Sequence, residues 1–169
     1  YRMDNKFKQR EYIAQLLLED YTDAALKMSP CIVFVVGEYW GLYMLQEKFD
    51  KQYVNENYHT GDNRLAIVEN GIAREDYEKE IYNDLYKSII FNDLSLMENY
   101  KMIQQKLDIQ SYIDYVCINM YLANAEYGTS SKWWRSWAVF DEAYCDAKWR
   151  VVLSRLDNSM HNGFYGGKT

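Results

Sequence analysis

Three positions carry the chemistry that this sequence could perform. Glu126 lies in the polar stretch Asn124 to Ser131, directly after a helix-like segment, and a carboxylate there could accept the proton of an attacking hydroxyl. Ser131, five residues later, and Asp157, at the end of an apolar stretch, offer hard oxygen donors of the kind that Mg²⁺ or Mn²⁺ takes, and Asn158 adds an amide oxygen beside Asp157. A base next to a bound divalent cation is the chemistry of phosphoryl transfer. Lys132 and Arg155 are the nearby cations for phosphate oxygens. On a strand, Leu156 points away from its neighbours, so Arg155 and Asp157 share a face and the guanidinium could pair with phosphate or with Asp157 itself. Each residue also has a plainer reading: Glu126 as a surface acid, Asp157-Asn158 as a strand-ending Asx turn.

The elements that must position these residues run from Leu107 to Met160. Ile109, Tyr112, Ile113, Val116, Cys117, Met120 and Tyr121 recur at spacings of three and four, which predicts an amphipathic helix burying that stripe, with Asp108 as its N-cap. Trp133 to Phe140 reads as a strand, Asp141 to Asp146 as a turn, and Trp149 to Leu153 as a second strand, so that a hairpin holds the polar loop and Asp157 near each other. Trp133, Trp134 and Trp137 cannot all share one face of a strand, so at least one belongs to the core and others could stack on a ligand.

Upstream, Tyr12, Ile13, Leu16, Leu17, Tyr21, Ala24, Ala25 and Met28 predict a helix from Glu11 to Met28. Cys31 to Val36 reads as a buried strand, Gly37-Glu38 as a turn and Tyr39 to Glu47 as the returning strand. Asp50 to Asn63 reads as a polar loop, and Leu65 to Val68 as a short strand stopped by Asn70-Gly71. Arg74 to Phe91 is a helix by its Tyr77, Ile81, Leu85, Ile89 spacing, and Ser95 to Glu98 is a capping-box pattern that opens another, running to Leu107. The class is α+β.

Composition sets the outer limits. The chain has 169 residues, 49% of them apolar, with 19 Lys and Arg against 25 Asp and Glu and a net charge of -6. No basic run marks a nucleic-acid footprint, so no nucleic-acid partner is expected. The longest apolar run, Cys31 to Val36, is far short of the roughly 20 residues that cross a bilayer. Three widely spaced cysteines and two histidines form no disulfide framework or zinc pattern. Cys31 and Cys117 read as core residues and Cys145 as exposed in a turn. The abrupt ends, Tyr1 and Gly-Gly-Lys-Thr, suggest a piece of a longer protein with further elements on both sides.

Helix, loop, hairpin and terminal acid is also the order of parts in protein kinases, where a loop carboxylate is followed by a metal-binding Asn and, after two strands, a metal-binding Asp. Two stretches narrow this. Gly37-Glu38-Tyr39-Trp40-Gly41-Leu42-Tyr43-Met44-Leu45-Gln46-Glu47-Lys48 resembles the Asn-Gly-x-Tyr-x-Gly-x-Tyr-x-Leu-x-Glu signature of the CotH spore-coat kinase family. Leu107 to Glu126, Trp133-Trp134-Arg135, Trp149-Arg150 and Leu156-Asp157 resemble that family's later half, with Asp62 to Leu65 and Glu69-Asn70-Gly71 between.

The resemblance covers nearly the whole chain and implies an atypical protein-kinase-like fold. Residues 1–70 would form the end of a small lobe with its hairpin, and residues 71–169 a helical large lobe with a catalytic hairpin. It implies a transferase moving phosphate from ATP, with Mg²⁺ or Mn²⁺, to Ser or Thr hydroxyls of a protein substrate. In the family such substrates are spore-coat proteins, or unknown targets of secreted or surface-bound bacterial relatives. Glu126 then occupies the position of the catalytic Asp, and Asp157 that of a metal-binding Asp. Glu47 could pair with a functional lysine, and Tyr39, Trp40 and Trp133 could face the nucleotide. The nucleotide-gripping loop and phosphate lysine would lie upstream of Tyr1.

The sequence departs from the family at four positions: Val36 for Asn, Glu126 for Asp, Ser131 for a metal-binding Asn and Arg155 for Asp. Three of these touch chemistry, so weakened activity is one expectation. A pseudokinase acting as a surface or coat interaction module, and a carbohydrate- or peptide-binding domain built on the aromatic strands, are the alternatives.

Overall fold

The computed structural model describes residues 8–22, 24–61, 65–128, 131–137 and 143–160. The last three residues of the expected strand Trp133 to Phe140, part of the turn from Asp141 and part of the expected loop Asp50 to Asn63 lie outside them. Among the described residues the architecture is mixed α and β. Five helices surround a two-stranded and a four-stranded sheet.

Helix α1 (Lys8–Leu18) stops well before the expected Met28. Long-range hydrogen bonds claim the chain beyond it: Leu153 N–H donates to Ala24 O, and Leu26 N–H donates to Gln15 Oε1. The face that α1 buries also differs from the apolar stripe. Ala14, Gln15 and Leu18 are buried, whereas Ile13, Leu16 and Leu17 are exposed.

Strands β1 (Met28–Val35) and β2 (Glu38–Gln46) pair antiparallel with Cys31 opposite Tyr43. They form the expected hairpin, but Ile32, Phe34 and Val36 are exposed, so the run Cys31 to Val36 is not a buried strand. A two-stranded sheet can cover only one of its faces with α1. Both residues of its turn, Val36 (φ 52°) and Gly37 (φ 82°), are left-handed, as two-residue hairpin loops require. Glycine adopts this without cost; a β-branched valine does not.

Helix α2 (Lys51–Tyr58) replaces the expected loop. Asp50 caps it by accepting from Tyr53 N–H, and burial of Tyr53, Val54 and Tyr58 outweighs a polar composition that has little helical preference of its own. Strands β3 (Leu65–Glu69), β4 (Ile72–Ala73), β5 (Lys132–Ser136) and β6 (Arg150–Val152) form an antiparallel sheet ordered β4-β3-β5-β6. One face, with Ile67, Trp134 and Val152, packs on Phe49, Tyr53 and Tyr58. The other, with Ala66, Val68 and Trp149, packs on Leu85, Ile103 and Leu107.

Those residues belong to α3 (Asp76–Ile90), to α4 (Met97–Lys106) and to the turn after it. The capping box sits at α3, between Glu75 and Glu78. At α4 the N-cap is Leu96 and Ser95 N–H instead bonds the Asp93 carboxylate, so the expected Ser95 to Glu98 box does not form. Helix α5 (Ile109–Tyr121) starts at the expected cap, with Asp108 accepting from Ser111 N–H. It buries Tyr115 and Asn119 rather than the whole predicted stripe: Ile113, Cys117, Met120 and Tyr121 are exposed. Cys145, expected at the surface, is fully buried, and Cys31 is only half-buried.

Arg150 joins sheet and helices. Its side chain is 8% exposed, its Nη1 and Nη2 donate to Asp146 at 2.9 and 2.8 Å, and its Nε lies 3.0 Å from Asp108 Oδ2 in ion-pair contact. The guanidinium also lies over the rings of Trp134 and Tyr144. Burial alone would raise the Asp146 pKa, but the bonds from Arg150 and Lys148 leave it below the usual carboxylate value.

Three outcomes follow for stability. Val36→Asn, which suits a left-handed turn, should stabilise the chain by about 1 kcal/mol, and chemical denaturation of both proteins measures it. Arg150→Met should cost about 2–3 kcal/mol because it leaves two half-buried carboxylates without their shared partner. A depressed carboxylate stabilises the fold above its unfolded value of about 3.9 and loses that contribution as pH falls through the lower folded value. Acid titration of Asp146→Asn should therefore show a shallower loss of stability below about pH 4 than wild type.

Candidate functional site

The loop after α5 is built on a chain of amides. Asn119, buried in the last turn, donates to Tyr115 O at 2.7 Å and accepts at Oδ1 from Asn124 Nδ2 at 2.8 Å. Asn124 Oδ1 in turn accepts from Glu126 N–H at 3.0 Å. The positive φ of Ala123 (47°) lets the chain double back so that Asn124 N–H reaches Asn119 O.

A second segment closes on this loop from the far end of the sheet. Past β6 the chain passes through Leu153 and Ser154 into a single 3₁₀ turn, Leu156–Asn158. Asn158 Nδ2 donates to Glu126 Oε1 at 2.8 Å, Ala125 N–H donates to Asn158 O, and Met160 N–H to Leu122 O. The structure thus brings Glu126, Asn158, Arg155 and Asp157 together. Arg155 Nη2 lies 3.8 Å from Glu126 Oε2 and its Nε 3.7 Å from Asp157 Oδ1, so one guanidinium is shared by both carboxylates. Arg155 is left-handed (φ 57°, ψ 46°), a conformation that costs a non-glycine residue about 1–2 kcal/mol.

Arg155 also lines a cleft of about 570 Å³ between the base of the β1–β2 hairpin and the four-stranded sheet. Lys48, Arg74 and Lys132 bring further positive charge to it, Glu11, Glu47 and Glu69 bring negative charge, and Leu26 and Phe49 are its apolar part. Lys132 Nζ lies over the Phe49 ring at 5.6 Å. Glu47 closes the hairpin base, its Oε2 accepting from Lys27 N–H at 2.9 Å.

The remaining candidates lie further apart. Ser131 precedes β5 and is tied to the β3–β4 turn, its N–H donating to Asn70 Oδ1 at 3.0 Å. Trp133 packs beside Tyr82 and Tyr112, while Tyr39 and Trp40 are exposed near the hairpin tip, Tyr39 edge-on to Phe34.

The donor set can be tested against a divalent cation. Asp157 Oδ1 is inaccessible to solvent and has no hydrogen-bond donor, which leaves an acceptor oxygen available, and Asn158 keeps its amide oxygen when its nitrogen donates to Glu126. No group of three or more His, Cys, Asp or Glu converges among the described residues. Mg²⁺ does not require such a group, being commonly held by one or two carboxylates with phosphate oxygens and water completing its shell.

One acidic residue escaped the sequence reading. Glu11, on α1, accepts from Gln46 Nε2 at 3.3 Å and lies close enough to Asp157 to feel its charge. Burial, foremost, and repulsion from Asp157 raise its pKa against the lowering effect of Gln46 and of the Leu156 and Arg155 backbone. Its signal was the inward line Glu11, Ala14, Gln15, Leu18, which a more apolar stripe on the same helix obscured.

The family model for the CotH kinase protein matches residues 2–165. The chain belongs to the CotH kinase family. Its signature-like stretch is β2 with its preceding turn, and the segments resembling the family's later half are α5, the Asn124–Glu126 loop, β5, β6 and the 3₁₀ turn. No curated protein and no solved structure matches the chain.

Within this CotH-family site the amide chain carries the loop. Asn124→Ala removes the donor to Asn119 Oδ1 and the acceptor of Glu126 N–H and should cost about 1–3 kcal/mol. Urea unfolding of Asn124→Ala, Asn119→Ala and the double variant should show coupling above about 0.5 kcal/mol.

Proposed function

We propose that this chain is the catalytic part of a CotH-type atypical protein kinase that, with the upstream nucleotide-gripping loop and lysine, transfers the γ-phosphate of ATP to a Ser or Thr hydroxyl of a protein substrate at a rate lowered by Glu126, and that it is inactive as an isolated fragment. Family membership supports kinase activity, and one observation carries the assignment to residues: Glu126 and Asp157 converge on Arg155 and Asn158 at the edge of a cation-lined cleft. In this reading the hairpin belongs to a small lobe and α3 to α5 with the hairpin β5–β6 to a large lobe.

Lys132 and Arg155 hold phosphate oxygens by charge-assisted hydrogen bonds, which are about twice as strong as neutral ones. Glu47 lines the same cleft, and Tyr39, Trp40 and Trp133 remain the candidate aromatic contacts of the nucleotide. Asp157, with Asn158, would hold Mg²⁺ or Mn²⁺, which when bound neutralises charge on the transferring phosphate; Ser131, held at the β3–β4 turn, is not placed to join them. Glu126 accepts the proton of the attacking hydroxyl. Its carboxylate is steadied by Asn158, and its backbone by Asn124. Compared with Asp, Glu carries one more methylene, and misplacement by about an ångström can cost on the order of 10²-fold in rate. A coat or cell-surface protein of a bacterium is the substrate class that the family suggests.

One observation favours a pseudokinase instead. Arg155 holds a fixed positive charge between the two carboxylates, where it offsets part of the charge that would attract a cation. A pseudokinase of this kind would serve as an interaction module.

Phosphate transfer from labelled ATP to a protein acceptor by the full-length protein, with Mg²⁺ or Mn²⁺, decides between the readings. Asp157→Ala should abolish metal-dependent ATP affinity, Glu126→Gln should lower turnover by about 10²-fold or more at little change in affinity, and Glu126→Asp should raise it. ATP binding without transfer in every variant would establish the pseudokinase, and turnover unaffected by Glu126→Gln would remove Glu126 from the mechanism.

A further inference from the structure

One hydroxyl on the wall of the cleft has nothing to bond. Ser154 follows β6, lines the cleft next to Arg155 and is 8% exposed. Its Oγ is sealed from solvent and has no hydrogen-bond partner among the described residues. A hydroxyl in that state destabilises the chain, because it has given up water and gained no bond in return. Thr60 and Ser159 carry buried hydroxyls of the same kind. Of the three, only Ser154 lines the cleft.

The strand register shows what stands beside it. Lys132 of β5 lies opposite Val152 of β6, and Ser154 comes two residues after Val152. The hydroxyl is therefore flanked by Lys132 across the sheet and by Arg155 along the chain, and all three line the cleft. Two cations and a donor with its bond unmade suit an acceptor that carries negative charge. Glu11, Glu47 and Glu69 line the same cleft and disfavour a bare anion. A phosphate carried on a nucleoside meets both kinds of lining, since its hydroxyl and amino groups can donate to carboxylates.

We propose that Ser154 is a phosphate-binding residue of the nucleotide cleft: on ligand entry its side chain turns about Cα–Cβ and donates to a phosphate oxygen held between Lys132 and Arg155. Serine has three staggered positions open to this rotation. The hydroxyl has already lost its water in the unliganded chain, so the new bond replaces none and adds to affinity. This inference rests on the nucleotide reading of the cleft and adds to it a donor on the sheet side.

Two measurements on the full-length protein test it: the affinities of ATP and adenosine in Mg²⁺, by displacement of a fluorescent ATP analogue, and the denaturant midpoint without ligand. Ser154→Ala should lower ATP affinity by about 10-fold or more, the worth of a hydrogen bond to a charged group. The advantage of ATP over adenosine should shrink by the same factor, and the midpoint should stay the same or rise. Ser154→Cys, similar in size but a weak donor, should lose ATP affinity likewise. Thr60→Val removes a buried hydroxyl away from the cleft and should leave ATP affinity unchanged.

Wild-type binding with unchanged ATP affinity in Ser154→Ala overturns this inference alone. An equal fall for adenosine overturns the phosphate contact, and an equal fall in Thr60→Val shows that loss of any buried hydroxyl weakens binding, which overturns the assignment. A lower midpoint in Ser154→Ala shows the hydroxyl to be bonded in the unliganded chain and overturns it as well. A wild-type protein that binds no ATP overturns the nucleotide reading of the cleft and this inference with it.

Discussion

Arg150 is the point from which the site is measured out. It ties Asp108, the cap of α5, to Asp146, just ahead of β6, and the start of both elements is locked a second time by the bonds between Asp108 N–H and Trp149 O and between Trp149 N–H and Lys106 O. From this common origin two segments run side by side. Helix α5 advances by about 1.5 Å per residue, so its thirteen residues cover about 20 Å. The other leaves β6 after Val152 and reaches Asp157 through the left-handed Arg155 and the 3₁₀ turn. Their ends meet where Met160 N–H reaches Leu122 O and Asn158 reaches Glu126. These contacts join residues 32 and 38 positions apart in sequence.

This explains which parts were readable in the sequence. Asp108 as a cap, the hairpin β1–β2, the strand at Leu65 and the pairing of β5 with β6 depend on local turn chemistry and short-range pattern, and each formed where expected. The inward faces of α1 and α5 did not follow hydrophobic periodicity. On α1 the buried line contains Glu11 and Gln15, and on α5 it contains Asn119, because those side chains have partners across the molecule: Gln46, Leu153 O, Leu26 N–H and Asn124. A buried polar group is tolerated when it is bonded, and such partners lie too far along the chain for a periodicity count to register. Helix α2 was missed for a related reason, since its stability comes from Tyr53 packing edge-on to Phe49 and Tyr58 packing on Trp134 and Tyr144 rather than from its composition.

The candidate site was legible in identity more than in geometry. Glu126, Asp157, Asn158 and Arg155 could be named from order and type, and the structure brings them together through a single guanidinium and a single amide. Glu11 could not be named, because it lies 146 residues before Asp157 and on a helix whose stronger signal points outward. The same separation makes the site a product of the fold as a whole: α1, α5 and the end of β6 share one buried cluster of Ala14, Leu18, Tyr115, Leu122, Val151, Leu153 and Leu156. Loss of packing there would move all three contributors at once.

The cysteines give the molecule a chemical clock. Cys117 is open on α5, Cys31 is half-covered in β1, and Cys145 is sealed beside Tyr144, ahead of Asp146 and Arg150. A thiol reagent would therefore mark helix surface, hairpin and sheet closure in that order, and the delay before Cys145 reacts times how often the Arg150 junction comes apart in an otherwise folded chain.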